Sequence, residues 1–334
     1  MPSIKTPNRH GYSVKFSPFH SRNIVVATSQ QYGMSGNGTL FYFSYDDENI
    51  SFIRQYEWDD GLFDVAWSNL NENLVVTSSG DGIMQLWDLN SPLKNPKPIQ
   101  LYSEHNAEIY SLDWGSFWHS NNILSASWDN KLKIWDPTRG NSLSTFVMNR
   151  SSISSQSTLI TNDILIYQAA YAPFIPNIFS SVSTDGNLCL WNSLDFSGNP
   201  IGKIKVHNEE ALSLDWNKFN HWMLATGGSD GLIRCWDIRN IKDDSPVYEF
   251  LGSELMAIRK IKYSQCLPNI LATTSFDCTT RIWDIENQEE SIQILKDHDE
   301  CIYGLDWSYN RDDLIVDCGW DSKININSVT SLIK

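Results

Sequence analysis

Short runs of alternating apolar and polar residues, joined by tight turns, recur along the chain. In "ILSASWDNKLKIW" (123–135), two such runs flank a turn that contains Asp129 and Asn130. Alternation with a period of two is typical of a half-buried strand, and Asp, Asn and Gly tolerate the positive φ that a tight hairpin needs. The pattern therefore predicts a strand, a turn and a second, antiparallel strand.

This hairpin is one of seven copies. Four others are close, and those at 35–44 and 319–328 are degenerate. The copies are spaced 44 to 56 residues apart at an anchor position that holds Asn37, Asp81, Asp129, Asp185, Asp230, Asp277 and Asp321. That spacing is typical of a four-stranded blade, and a ring of blades covers the apolar faces that one blade would leave wet. The repeats resemble those of WD-repeat proteins. The resemblance implies an all-β, seven-bladed β-propeller, and we expect one domain over residues 1–334.

Two segments stand apart from the repeat. Either residues 2–6 or residues 329–334 could supply the last outer strand, and we favour 2–6 because propellers usually close with both chain ends in one blade. The longest step between anchors contains "MNRSSISSQSTLITND" (148–163). This segment is rich in Ser and Thr, which is typical of an exposed loop, and we expect it to precede blade 4.

In three copies a histidine precedes the turn Asp by 23 or 24 residues. The resemblance to WD-repeat proteins implies that each histidine belongs to a buried, hydrogen-bonded set that holds its blade. The sets comprise His105, Asp129 and Trp135; His207, Asp230 and Trp236; and His298 and Asp321. The alternative is a catalytic or metal-binding histidine. No second His, Cys or nucleophile recurs beside them, as such chemistry requires, so we predict no enzyme, no metal site and no cofactor.

Charge and composition narrow the class of partner. The formal net charge is −15, which argues against a nucleic-acid partner and favours a basic one. No apolar run approaches the ~18–20 residues of a membrane span, and "MPSIKTPNRHGY" (1–12) lacks the apolar region of a secretory signal. The six cysteines are scattered, without a C-x-x-C pair, which favours reduced thiols in a cytosolic type of compartment.

WD-repeat geometry implies that three positions in each repeat line one face around the central channel. The position five residues after the histidine position holds Tyr12, Phe63, Tyr110, Tyr167, Leu212, Arg259 and Tyr303. The position before the turn residue adds Trp128, Phe276 and Trp320. Acidic residues begin the inner strands at Asp60, Glu108, Asp163, Glu210 and Glu300.

Aromatic residues ringed by carboxylates are typical of an interaction site. Such a surface would fit a short helix that is apolar on one side and basic beside it. The alternative is that the rings pack at the strand ends and the acids form a solvated rim.

Several stretches carry a more specific resemblance. They are "NRHGYSVKFSPF" (8–19), "YGMSGNGTLFYF" (32–43), "DDGLFDVAWS" (59–68), "SASWDNKLKIWDP" (125–137) and "ATGGSDGLIRCWDIRN" (225–240). Together they closely resemble the peroxin seven family over about 8–328. The resemblance implies a receptor for the type 2 peroxisomal targeting signal, present in the cytoplasm and shuttling to the peroxisome.

The resemblance also implies the ligand and the partners. The signal is an N-terminal nonapeptide: Arg or Lys, an aliphatic residue, five variable residues, His or Gln, then Leu or Ala. Cargo such as thiolase carries it. We assign Asp60 and Glu108 to the basic positions, and Phe63, Tyr110, Trp128 and Trp320 to the apolar ones. The implied co-receptor is a long form of peroxin five or a fungal peroxin of the eighteen, twenty or twenty-one type. The resemblance also implies docking peroxins at the peroxisomal membrane as partners.

Three points leave alternatives open. The 148–163 segment is either a tolerated insertion or a contact for the co-receptor. "WDIR" (236–239) resembles a motif by which WD-repeat substrate receptors dock onto cullin ubiquitin ligases, although an Arg after such a strand commonly pairs with local acids. A general scaffold is a third interpretation.

Overall fold

Seven antiparallel sheets of four strands each build the protein, which confirms the seven-bladed β-propeller expected from the repeats. The structure is a computed structural model. It describes residues 2–116, 119–148, 164–195, 197–240, 245–253, 256–287 and 290–329. The first strands of neighbouring blades contact one another all the way round, so these strands line the central channel.

The innermost strands end in an aromatic residue in every blade. They are β2 His10–Phe16, β6 Leu62–Trp67, β10 Ile109–Trp114, β14 Ile166–Tyr171, β18 Ala211–Trp216, β22 Ile258–Tyr263 and β26 Ile302–Trp307. The second strands are almost wholly buried: β3 Asn23–Ser29, β7 Leu74–Ser79, β11 Ile123–Ser127, β15 Ile178–Ser183, β19 Met223–Gly228, β23 Ile270–Ser275 and β27 Leu314–Gly319.

In blades 1 to 6 the third strand carries the aromatic residue that follows the turn, whereas in blade 7 Asn327 stands at that position. The third strands are β4 Gly38–Tyr45, β8 Met84–Asp88, β12 Lys131–Trp135, β16 Asn187–Asn192, β20 Leu232–Asp237, β24 Thr280–Asp284 and β28 Lys323–Ser328. The outer strands are β5 Ile50–Trp58, β9 Gln100–Tyr102, β13 Ser142–Val147, β17 Gly202–Lys205, β21 Tyr248–Leu251, β25 Gln293–Leu295 and β1 Ser3–Lys5. Short 3-10 turns lie at Gln31–Gly33 and Ile238–Asn240. No helix in the part of the chain described here has the length and apolar character that crossing a membrane demands.

The N-terminal segment supplies the outer strand of the last blade. Strand β1 pairs antiparallel with β28, and Ser3, Ile4 and Lys5 lie opposite Asn325, Ile324 and Lys323. Ile4 packs against the hydrophobic core between blades 7 and 1, whereas its two neighbours in the strand are exposed. The two ends of the chain therefore close the ring together.

The tight turns between the second and third strands have the geometry that their sequences predict. In blades 2 to 7, a carboxylate oxygen of the anchor Asp accepts a hydrogen bond from the backbone N–H two residues later, as from Lys131 to Asp129 at 3.0 Å. The residue after the anchor has a positive φ; these residues are Gly82, Asn130, Gly186, Gly231, Cys278 and Ser322. A non-Gly residue in this conformation is strained. Cys278 and Ser322 therefore carry a cost that Gly avoids in three of the other copies.

Four aspartates connect neighbouring blades around the channel; Asp64, Asp215 and Asp306 are buried, and Asp113 is half-buried. Each innermost strand pairs on one side only, so its other edge presents backbone N–H groups that need an acceptor. A carboxylate from the preceding blade accepts one of these hydrogen bonds at 2.7–3.0 Å. We call these aspartates the channel carboxylates. Asp64 accepts from the N–H of Leu112, Asp113 from that of Tyr171, Asp215 from that of Tyr263 and Asp306 from that of Phe16.

Lysine side chains balance the charge of the channel carboxylates. Lys15, Lys260 and Lys262 line the same cavity of about 240 Å³. Burial lowers the pKa of Lys260 to about 7, although the charge of Asp64 opposes that shift. Burial would raise the pKa of Asp64, but Lys260 and Lys15 outweigh it and lower that pKa. The channel is therefore a network of opposite charges whose titrations depend on one another.

The histidines of blades 3 and 5 each contact an Asp and a hydroxyl, and in blade 5 the guanidinium of Arg234 also lies 3.1 Å from His207 Nδ1. His105 Nδ1 donates to Asp129 at 2.9 Å, and the hydroxyl of Ser125 donates to Nε2 at 2.8 Å. The indole N–H of Trp135 donates to that same hydroxyl oxygen at 2.9 Å. His207 makes the matching contacts in blade 5. In blade 2, Trp58 stands at the histidine position and donates from Nε1 to Asp81 at 2.9 Å.

Blade 7 places its histidine between two carboxylates. His298 Nδ1 lies 2.8 Å from Asp321, and its Nε2 lies 3.0 Å from Asp317, where blades 3 and 5 have a hydroxyl. Burial alone would lower the pKa of His298, but hydrogen bonds to Asp317 and Asp321 outweigh burial and raise this pKa to about 9. His298 is therefore a cation at neutral pH, and it holds the blade in which Asn327 stands at the Trp position.

We expect stability to depend on the charge of His298. Because its folded pKa of about 9 exceeds the usual 6.5, its contribution is fully present below pH 6.5 and is lost as the pH rises through 9. The difference corresponds to roughly 3 kcal/mol. NMR titration of the His298 ring, with urea unfolding at several pH values, measures both quantities. Asp317→Ser should lower the His298 pKa, and a wild-type ring that titrates near 6.5 would contradict the assignment.

A second prediction concerns ring closure. Ile4→Asp would place a charge against the core between blades 7 and 1, so it should lower the free energy of unfolding by about 1–3 kcal/mol. Ser3→Asp is the matched control, because Ser3 is exposed in the same strand. Urea unfolding should separate the two variants. Equal stability of both would mean that β1 does not hold the ring.

Candidate functional site

The candidate site lies on one face of the propeller. Loops that join successive blades, and the turns between second and third strands, share a face because neighbouring strands are antiparallel. We call it the upper face, and the opposite one the lower face. The innermost strands run from the upper face to the lower one, so residues at their starts surround the upper mouth of the channel.

A continuous group of aromatic rings covers this mouth. We call it the rim cluster, and its members are Tyr12, Phe63, Tyr110, Trp128, Tyr167, Phe276, Tyr303 and Trp320. Tyr12 connects its two halves, with ring centroids 4.9 Å from Phe63 and 5.0 Å from Tyr303. The rings of Tyr110 and Trp128 stack at 4.4 Å and 6°, and those of Tyr303 and Trp320 stack at 4.6 Å and 14°.

The rim cluster has a buried floor and half-buried sides. Tyr12, Phe63 and Tyr303 are each less than 10 % exposed and form the floor. The other members are partly exposed: Tyr110, Trp128, Tyr167, Phe276 and Trp320. Among the described residues, no hydrogen-bond partner meets the indole N–H of Trp128 or Trp320. The accessible apolar surface therefore comes from the stacked pairs on either side of the floor.

One guanidinium lies among these rings. Arg259 is 7 % exposed, and its Cζ lies 4.6 Å from the ring centroid of Tyr303 and 5.7 Å from that of Tyr110. Cation–π contacts of this kind stabilise a desolvated arginine. Leu212 is buried too, but it is outside the rim cluster. Both residues were expected five positions after the histidine position. Arg259 lies among the rings of the floor, whereas Leu212 is not part of the rim cluster.

Three carboxylates lie together beside the Tyr110–Trp128 stack. Burial raises the pKa of Asp60, and the nearby charges of Asp81 and Glu108 raise it further, although a hydrogen bond from the Gly61 N–H opposes the shift. Within the described part of the chain, none of the three acids forms an ion pair with Lys or Arg. A cation that reached this position would relieve the mutual repulsion of the carboxylates.

The other predicted acids are spread around the mouth. Glu210 accepts a hydrogen bond from the hydroxyl of Tyr167 at 3.1 Å, which connects it to the rim cluster. Glu300 accepts one from the hydroxyl of Tyr32 at 3.5 Å. Asp163, also predicted as a site residue, and most of the 148–163 segment lie outside the described residues.

Two aromatic side chains that the repeat positions did not indicate extend the rim cluster. The ring of Tyr32 lies 5.2 Å from that of Trp320 and stacks on the ring of His10 at 4.0 Å. His10 Nδ1 also donates a hydrogen bond to the carbonyl oxygen of Trp320. Tyr32 belongs to the 3-10 turn Gln31–Gly33, which only blade 1 carries before its anchor. The signal available in the sequence was the extra "QQYGM" (30–34) between strand and turn.

The "WDIR" motif lies on the lower face, away from the rim cluster. Arg239 Nε lies 3.0 Å and 3.2 Å from the two carboxylate oxygens of Asp237. Its Cζ lies 5.9 Å from the ring centroid of Trp222. The arginine therefore has local partners, and nothing in this geometry favours a ligase adaptor over local pairing. Among the described residues, no group of three or more potential metal ligands comes together.

Comparison with known proteins adds to this geometry. The family model "WD domain, G-beta repeat" matches residues 51–88, 96–136 and 198–237. The chain is 38% identical over 324 residues to a protein of Mus musculus named peroxisomal targeting signal 2 receptor, covering 97% of this chain and 95% of that one. A protein of the same name from Homo sapiens is 39% identical over 90% of this chain and 87% of its own length. That from Saccharomyces cerevisiae is 31% identical over 94% and 96%.

Gly33 tests how tightly the floor of the rim cluster is packed. Its φ is +71°, and a Cβ there would lie 2.7 Å from both Phe63 Cε1 and the Tyr12 hydroxyl oxygen. Gly198 has a φ of +73° with no atom within 4 Å of such a Cβ. Gly198→Ala should therefore report the backbone strain alone, about 1–2 kcal/mol. Gly33→Ala should cost about 1–3 kcal/mol more because of the overlap. Urea unfolding compares them, and equal destabilisation would argue against close packing at Gly33.

Proposed function

The chain belongs to the family of peroxisomal targeting signal 2 receptors, and from that membership we propose that it binds the type 2 signal of cargo proteins across the rim cluster. In this proposal the protein is an import receptor without enzymatic activity. The single observation that carries the proposal is the juxtaposition of an aromatic surface with carboxylates that have no cation partner among the described residues.

The form of the signal suits this surface. In a helix, residues seven positions apart lie on the same side. The first and eighth residues of the signal, both basic or polar, therefore form one line, and the second and ninth, both apolar, form a line beside it. A ligand with this helix face would meet carboxylates and aromatic rings at once.

Asp60 and Glu108 would receive the basic residue at the first position of the signal. Their charges repel each other and that of Asp81, so a guanidinium placed between them gains favourable interactions with all three. An arginine can also donate two parallel hydrogen bonds to one carboxylate. Glu210 and Glu300 stand on other parts of the rim and are available to the His or Gln at the eighth position.

The apolar residues of the signal would contact the sides of the rim cluster. Tyr110 and Trp128 provide one stacked surface and Tyr303 and Trp320 the other. Phe63 lies between them in the floor and supports both through Tyr110 and Tyr12. Burying an aliphatic side chain on such rings stabilises a complex by about 1.5–3 kcal/mol.

These contacts imply weak binding by the receptor alone. Two aliphatic side chains and exposed ion pairs of about 0–1 kcal/mol each must offset an association cost of at least ~4 kcal/mol. We propose that a co-receptor, either a long form of peroxin five or a fungal peroxin of the eighteen, twenty or twenty-one type, covers the outer side of the bound signal. Thiolase as cargo, docking peroxins at the peroxisomal membrane and shuttling between cytoplasm and peroxisome belong to the same proposal.

Charge reversal at the acidic group tests the site. Asp60→Lys and Glu108→Lys should each weaken binding of a labelled Arg-bearing nonapeptide at least about tenfold, or ~1.4 kcal/mol, because each places a second cation against the arginine. Fluorescence anisotropy at low and high salt measures the affinity. The matched control is Glu48→Lys, an exposed acid in the β4–β5 turn of the lower face, which should bind as the wild type does. Unchanged affinity in both upper-face variants would remove this site.

A further inference from the structure

Two cysteines meet at the upper face between blades 6 and 7. Cys278 lies in the turn between β23 and β24, and Cys301 lies just before β26. The sulfur atoms of both residues lie 3.8 Å from the same atom, the carbonyl oxygen of Phe276. Both side chains are partly exposed. We propose that Cys278 and Cys301 are a modification site: they join in a disulfide when the protein meets a hydroperoxide, and the disulfide weakens binding at the rim cluster.

The chemistry needs only these two thiols and the peroxide. One thiolate attacks a peroxide oxygen, the O–O bond breaks, and the sulfur becomes a sulfenic acid as water or an alcohol leaves. The second thiolate then attacks that sulfur, the S–O bond breaks, and a second water leaves as the S–S bond forms. The two sulfurs lose two electrons in total, and the peroxide gains them.

The conformation of Cys278 supports a special use of this position. Its φ of +65° belongs to the left-handed region, and three other copies of the turn have Gly there. A non-Gly residue in that region costs about 1–2 kcal/mol. Asn130 and Ser322 adopt the same conformation in blades 3 and 7. Of these three residues, Cys278 is the one that lies beside a second thiol.

The position of the pair connects it to the rim cluster. Cys301 packs against the cluster, and Tyr303 follows it two residues later, in β26. The ring of Phe276, whose carbonyl oxygen both sulfurs contact, stacks on Tyr303 at 5.6 Å. A disulfide bond of about 2.05 Å would tie the turn that carries Phe276 to the residue just before the strand that carries Tyr303. In the proposal, this covalent link shifts Phe276 and Tyr303 and so changes the floor and one side of the cluster.

Both thiols are expected to react slowly at neutral pH. Burial raises the pKa of Cys278, and the carboxylates of Asp277, Asp321, Glu300 and Asp299 raise it further. Burial also raises the pKa of Cys301, with a contribution from Cys278. Because the thiolate is the reactive form, the rate of disulfide formation should increase as the pH rises from 7 to 9.

The test combines mass spectrometry with peptide binding. The folded receptor is treated with hydrogen peroxide, and a digest without reductant is searched for a peptide pair joined through 278 and 301, lighter by two hydrogen atoms. Cys278→Ser and Cys301→Ser should abolish that pair. Cys266→Ser is the matched control, because Cys266 is equally partly exposed but lies on the lower face between β22 and β23. It should leave the pair intact.

The effect on binding rests on the proposed function, so it is measured separately. Oxidised wild type should bind the nonapeptide at least about fivefold more weakly than reduced wild type, and a reductant should restore the affinity. Both serine variants should bind equally before and after peroxide. Absence of the 278–301 pair overturns the modification site even if reduced protein binds the signal. Formation of the pair without a change in affinity overturns the coupling. Failure of reduced protein to bind the signal instead overturns the proposed function and leaves the disulfide to be judged by mass alone.

Discussion

The unpaired inner edge of each first strand is the constraint on which the rest of the propeller depends. A closed ring leaves seven such edges around the channel, each with backbone N–H groups that need an acceptor. At four of the blade junctions an aspartate side chain provides one, reaching from the inner strand of the preceding blade. Lys15, Lys260 and Lys262 lie in the same cavity and offset the charge of these carboxylates, so the ionic character of the channel is connected with backbone hydrogen bonding.

The turns of different blades are held by different sets of side chains, so an irregular repeat still makes a regular ring. Blades 3 and 5 hold their turns with a His, an Asp and a hydroxyl, whereas blade 7 has Asp317 in place of the hydroxyl and lacks the Trp. The additional carboxylate turns His298 into a cation and replaces a neutral hydrogen bond with a charge-assisted one. Blade 2 substitutes Trp58 for the histidine. The upper-face loops are held in place in each case, by different chemistry.

Much of this could be read from the sequence because the anchor Asp and the residue after it fix a turn whose conformation few residues tolerate. The number of blades and the strand order follow from that periodic signal, and the resemblance to WD-repeat proteins indicated the aromatic residues of the rim cluster. The burial of each side chain could not be predicted, because it depends on which neighbour fills the space. Phe63, Tyr303 and Arg259 are buried in the floor, whereas Trp128 and Trp320 are partly exposed. Tyr32 was missed because its turn exists in one blade only, outside any period.

The pairing of Ser3 with Asn325 has a consequence for how the chain is made. During translation β1 is synthesised long before its partner β28, so it stays unpaired while the intervening strands are synthesised. Closing a loop of that length is entropically costly and slow. The β1–β28 ladder can therefore form only after β28 has been synthesised, and until it forms one side of blade 7 is an open edge that a chaperone could protect.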